Sequence, residues 1–168
     1  MTALTAEELM AWLEATSSGW RKLAAEHPEL LAIPCDVHGT TNVAELLQHI
    51  VAVELRFTER LHGLPATEYR LIPTAPVEAI YAVHDRAMRM LRELLGRDGI
   101  AWEETIEVVT RSAGTLNATR RMILVHAMMH SIRHYAQLAT LVRQHGIAPD
   151  WGMDYLFMQP RDLQTSAS

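Results

Sequence analysis

The chain has 168 residues, 49% of them hydrophobic and 21% charged, enough to bury one full core and too few to suggest several domains. Its formal net charge of −5 argues against a nucleic-acid partner, which selects a basic surface, and its uncharged runs are too short to cross a bilayer. Cys35 is the single cysteine, which excludes an intrachain disulfide and suits a reducing cytoplasm.

In chain order, the opening stretch MTALTAEELMAWLEATSS carries acidic residues and no basic region ahead of an apolar one, so it is not read as a secretory signal. The pattern predicts a first helix from about Thr5 to His27. Thr5 is its N-cap, Glu7 and Glu8 lie where the helix dipole favours them, and Leu9, Trp12, Leu13, Trp20 and Leu23 form an inward stripe. Ser17, Ser18 and Gly19 weaken its middle, and Pro28 follows its end. A second helix is predicted from about Asn42 to His62. Asn42 and Glu45 have the spacing of a capping box, and Val43, Leu46, Leu47, Ile50, Val53, Phe57 and Leu61 recur at helical spacing. His49 and Glu54 lie on opposite shoulders of that apolar face, both partly inward.

Gly63, Pro65, Pro73 and Pro76 mark a connection. A third helix is expected from about Val77 to Arg97, with Ile80, Val83, Ala87, Met90, Leu91 and Leu94 inward. Residues 100–115 are expected to be extended or irregular, the short alternation around Thr105–Val108 having no visible partner strand. A fourth helix is predicted from about Thr115 to Gln144, closed by Gly146. The last twenty or so residues hold Trp151, Tyr155 and Phe157 and are expected to pack across the helices, with 163–168 frayed. Four amphipathic helices without a repeat predict an all-α four-helix bundle, one domain over 1–168, with long connections that leave room for crossovers.

The chemistry lies in the histidines. His130 and His134 are four residues apart, a step that advances a helix by about 400° and roughly 6 Å, so both project from one face. Two imidazoles so placed can share a divalent metal ion, and His49 from the second helix can complete a three-histidine set. Spacing leaves a choice open, because His126 and His130 form an equally valid pair. One ion cannot reach both His126 and His134, roughly 12 Å apart by helix rise, and His145 lies about 16 Å beyond His134. His27, His38, His62 and His145 are read as surface groups.

Two segments carry a family resemblance: NVAELLQHIVAVE, with a histidine followed five residues later by glutamate, and LVHAMMHSIRHYAQLATLVRQHG, with three histidines at four-residue spacing and then a glutamine. Their order and spacing resemble the DinB/YfiT-like superfamily of metal-binding four-helix bundles over essentially the whole chain. The resemblance implies that His49, His130 and His134 are the ligands of a zinc, nickel or iron-like divalent ion, with His126 outside the ligand set. It also implies an up-down-down-up bundle and a homodimer. Its implied activity is that of metal-dependent S-transferases and isomerases that use low-molecular-weight thiols such as bacillithiol or mycothiol, hydrolysis by metal-bound hydroxide being a variant of the same chemistry. Two departures bear on the surroundings of the ligands: Ser131 stands where the family often has glutamate, and Tyr135-Ala136 where it often has Arg-Gly.

A metal with an open position would deprotonate a thiol or water. This makes activation of a small thiol for transfer to an electrophilic substrate the leading expectation. A non-catalytic metal-binding or stress-related bundle is the alternative. Glu54 is the nearest candidate general base, or else the partner of an arginine such as Arg86 or Arg133. Arg133 and Gln137 lie beside the histidine pair, positioned to hold an anionic substrate or to face solvent. Met88, Met90, Met122, Met128 and Met129 are expected to fill the core.

Overall fold

Helix starts are set by local chemistry. Thr5 accepts a hydrogen bond from the Glu8 amide at 3.1 Å, and Glu8 accepts one from the Thr5 amide at 2.8 Å, a complete capping box opening α1 (Ala6–Glu26). Asn42 opens α2 (Val43–Leu61) by accepting from the Glu45 amide at 3.0 Å. The Glu45 carboxylate takes the amide of Thr41, not that of Asn42, at 2.7 Å, so the expected box is displaced by one residue. α3 (Val77–Leu95) follows Pro76 and is capped by Gly96. These elements belong to a computed structural model that describes residues 4–110 and 112–158; the fraying expected over 163–168 lies outside the described residues.

The expected four helices are present, and a small two-stranded sheet is added to the all-α expectation. Thr105–Thr110 (β1) pairs antiparallel with Gly114–Thr119 (β2), Thr105 opposite Thr119 and Val108 opposite Leu116. Residues 115–119, expected as helix, are therefore strand, and α4 (Arg120–Gln144) begins where the Thr119 hydroxyl accepts from the Met122 amide at 3.1 Å. Gly114, at φ 66°, starts the second strand in a conformation that side chains disfavour. The ribbon is tied to the helices by Arg120, which donates to the Leu61 carbonyl at 2.8 Å and to Glu104 at 3.0 Å.

α2 packs against α3 and α4, and α1 packs against the same two helices. Arg21 near the end of α1 meets Glu78 at the start of α3, while Glu14 meets Arg92 near the end of α3, so these helices run in opposite senses. His84 meets Glu54, and His62 bonds the Met90 carbonyl, so α2 and α3 run in the same sense. His49 faces His130 and Phe57 faces His126, so α2 and α4 oppose one another. Between them lies a continuous core that includes Leu13, Trp20, Leu46, Ile50, Ile80, Leu91 and Leu138. Each fully buried side chain of this size contributes about 1.5–3 kcal/mol, a reserve against which the polar groups described below are held. Met88 and Met128 are core residues, but Met122 and Met129 stand exposed on α4 and fill no core.

The segment after α4 crosses back over α1, as its aromatic content predicted. The Trp12 indole donates to the Met153 carbonyl at 2.8 Å, and Trp151 meets Trp20 edge-on with ring centres 5.3 Å apart. This contact explains a glycine in mid-helix. A Cβ on Gly19 would lie 2.3 Å from the Trp151 ring. Gly19→Ala gains about 1 kcal/mol of helix propensity, yet the clash displaces Trp151. Thermal unfolding should therefore show a net loss of stability, and Gly19→Ala combined with Trp151→Ala should recover the helix gain.

Candidate metal centre

The site is built where α2 and α4 oppose one another. His49 on α2 and His130 and His134 on α4 are all buried. Their Nε2 atoms converge: His49 to His130 at 3.1 Å and His134 to His130 at 3.2 Å. Among the described residues these three form a group whose ligand atoms lie within 4.8 Å of one another. With metal–nitrogen bonds of about 2.0–2.1 Å, the separations of 3.1 and 3.2 Å subtend roughly 95–105° at a common ion, between octahedral and tetrahedral angles. The three side chains together could hold a metal ion.

Electrostatics favours the neutral, ligating form. Burial, reinforced by the neighbouring His134 and His49, pushes the His130 pKa down to about 2. Burial, with the charge of Arg133 behind it, pushes His134 down to about 4. Both rings therefore keep a free electron pair at neutral pH. His134 Nδ1 lies 2.7 Å from Gln137 Oε1. The amide oxygen can only accept, so Nδ1 carries the proton and Nε2 presents its lone pair to the trio. Gln137→Leu should weaken metal binding by about 10–100-fold, measured by competition with a chelator, with helical circular dichroism unchanged because residue 137 is exposed.

The other sequence candidates fall elsewhere. Glu54 is fully buried, but its Oε2 lies 2.7 Å from Nδ1 of His84 on α3. It is paired with neither Arg86, which binds Glu59 at 2.9 Å, nor Arg133. Burial by itself lowers the pKa of His84, but the Glu54 charge and hydrogen bond, helped by Asp85 and Glu14, raise it on balance. This buried pair faces α3 and is separate from the trio. Arg133 is exposed and places Nη2 3.1 Å from His134 Nε2. Ser131, where glutamate is common in the family resembled, bonds the Ala127 carbonyl at 3.3 Å and offers nothing to the histidines. Tyr135 faces α1, accepting from Ser17 at 3.2 Å and stacking on Trp20. Cys35 is buried and accepts from Thr40 at 3.3 Å.

His38 is exposed, as its loop position suggested, and it also borders the site. Its ring centre lies 4.7 Å from that of His49 and 6.1 Å from that of His134. Its backbone takes φ 54°, a left-handed conformation uncommon outside glycine. Nothing in the local sequence marks it, since it reaches the trio only through the path of the loop ahead of α2. His126 remains beside the trio, its ring 5.4 Å from those of His130 and Phe57.

A cavity of about 300 Å³ opens on His49 and His130. Its apolar wall includes Phe57 from α2 and Val109 and Leu116 from the hairpin. Its charged lining is Arg56 and Arg133, and no carboxylate lines it among the described residues. The arrangement therefore offers a three-nitrogen ligand set on one side and a mixed apolar and cationic chamber on the other. Residues 1–163 match the sequence profile of the DinB family, and no curated protein matches the chain.

Proposed function

Because the chain belongs to the DinB family, we propose that His49, His130 and His134 bind one divalent metal ion for a small-molecule reaction, most simply transfer of a low-molecular-weight thiol to an electrophile. The observation that carries this reading is the opening of the cavity onto His49 and His130, two members of a three-histidine group. A purely structural metal site would be closed by a fourth protein ligand, and none joins the group among the described residues. Zinc, nickel and ferrous iron all suit three imidazoles. Bound there, such an ion supplies the charge that lowers the pKa of a thiol or water.

The protein's own residues do the remaining work. Burial keeps His130 and His134 neutral, Gln137 fixes the His134 tautomer, and Val109, Leu116 and Phe57 wall the chamber. The pairing of one Glu54 carboxylate oxygen with His84 supports a structural role for Glu54 over that of general base. The helix senses described above support the up-down-down-up order. The exposed Met122, Val125 and Met129 on α4 support a homodimer built on that face. Among the described residues no helix is long and apolar enough to cross a membrane, and the single cysteine supports a cytoplasmic setting.

The test is metal content by elemental analysis of untagged protein, beside His49→Ala, His130→Ala and His134→Ala. About one divalent ion per chain is expected in the wild type, with near-complete loss in each variant while the helical spectrum persists. Retention of a full equivalent in any of the three would remove that residue from the ligand set. Absence of metal from the wild type, even after reconstitution, would end the metalloenzyme reading.

A further inference from the structure

Arg133 is distinguished by where its guanidinium lies, beside a histidine of the trio and in the lining of the cavity. Arg21, Arg70, Arg86, Arg92, Arg120 and Arg121 each meet a carboxylate. Arg133 has no carboxylate partner among the described residues. It lines the cavity, and its Nη2 lies 3.1 Å from His134 Nε2. Since His134 Nδ1 carries the proton shared with Gln137, Nε2 must be the acceptor of the Arg133 bond. That electron pair is the one a metal ion would use. The two uses exclude each other.

Resting on the metal reading proposed above, we infer that Arg133 is an anion-reading arm that metal binding releases into the cavity. Once His134 gives its lone pair to an ion, the guanidinium must turn away from Nε2, and the cavity it lines is the space beside it. There it meets Arg56, whose guanidinium donates to the Thr67 carbonyl, and no acidic residue. In a chain of net charge −5, a chamber with two arginines and no carboxylate selects an anion. The ligand class is a small thiol or hydroxy compound whose donor atom reaches the metal and whose carboxylate reaches Arg133. Planar, fixed donors make arginine suited to that carboxylate. Arg133 is thus a specificity-determining residue, and it also competes with metal when no anion is present.

Cobalt(II)-substituted protein tests this, because thiolate coordination gives a charge-transfer absorption that is independent of turnover. The probes are 3-mercaptopropionate and the uncharged 2-mercaptoethanol. Wild type is expected to bind the carboxylate thiol about 10–100-fold more tightly, the range of one hydrogen bond to a charged group. In Arg133→Gln that preference should collapse to within about threefold, and Arg133→Lys, which keeps the charge, should restore part of it. Cobalt affinity without thiol should rise in Arg133→Gln. An unchanged preference in Arg133→Gln, with cobalt bound normally, overturns the inference and leaves the metal reading standing. Failure of the wild type to bind cobalt overturns both.

Discussion

Zinc added at a thousandfold excess over its dissociation constant is expected to stabilise the metal-stripped protein by about 4 kcal/mol. For a chain of this size that raises the melting temperature by roughly 8–16 °C. The gain should vanish in His130→Ala, whose Nε2 lies between those of the other two ligands. The stripped protein should also be acid-sensitive, and the sign follows from its histidines. His130 and His134 are held near 2 and 4, below the ordinary histidine value of 6.5, first by burial and then by neighbouring positive charge. Between those values and 6.5 the unfolded chain binds more protons than the folded one, so stability falls as pH drops below about 6.5. Zinc should protect only at pH values where the imidazoles remain unprotonated. Chemical denaturation at pH 7.5, 6 and 5, with and without zinc, checks both statements. A stability independent of pH over that interval in the stripped protein would contradict the burial argument.

His84→Ala is expected to destabilise the fold by about 3–5 kcal/mol, because it leaves the Glu54 carboxylate buried without its partner. That corresponds to a drop in melting temperature on the order of 10 °C. Removing both polar groups together, as in His84→Leu with Glu54→Leu, should cost much less than the single change. The pH dependence is opposite to that of the trio. His84 has a raised pKa in the folded state, so its charge contributes fully below the unfolded value and is lost as pH rises through the folded one. The penalty of His84→Ala should therefore be largest in mild acid and shrink toward alkaline pH. Metal content should be unaffected, since neither residue belongs to the histidine group. Loss of metal in a folded His84→Ala protein would show that the two sites are coupled.

The helices were legible because their signals are local. Thr5 with Glu8, Asn42 with Glu45 and the apolar repeat of α2 each lie within a few residues of the backbone they organise. The hairpin was hidden because β2 is exposed along its first four residues, leaving no alternation to betray it. Thr115 also looked like an adequate helix start until Thr119 proved to be the cap. His130 and His134 could be paired from spacing, but spacing alone left His126 as an equal choice, which the family resemblance decided for His134 and the convergence of His49 on that pair supports. His38 and the partnership of Glu54 with His84 were invisible for one reason. Each depends on which loop or helix lies opposite, and that is decided by packing over the whole core.

The histidines come from α2 and α4, whereas part of the cavity wall comes from Val109, Thr110 and Leu116 on the β1–β2 ribbon. Most of that ribbon is exposed, and Val108 is its one buried side chain. Residues of the ribbon can therefore be exchanged, or its turn lengthened, without unpacking the helices that aim the imidazoles. This scaffold can diversify the shape of its chamber by rewriting a short external segment while the reactive centre is inherited intact.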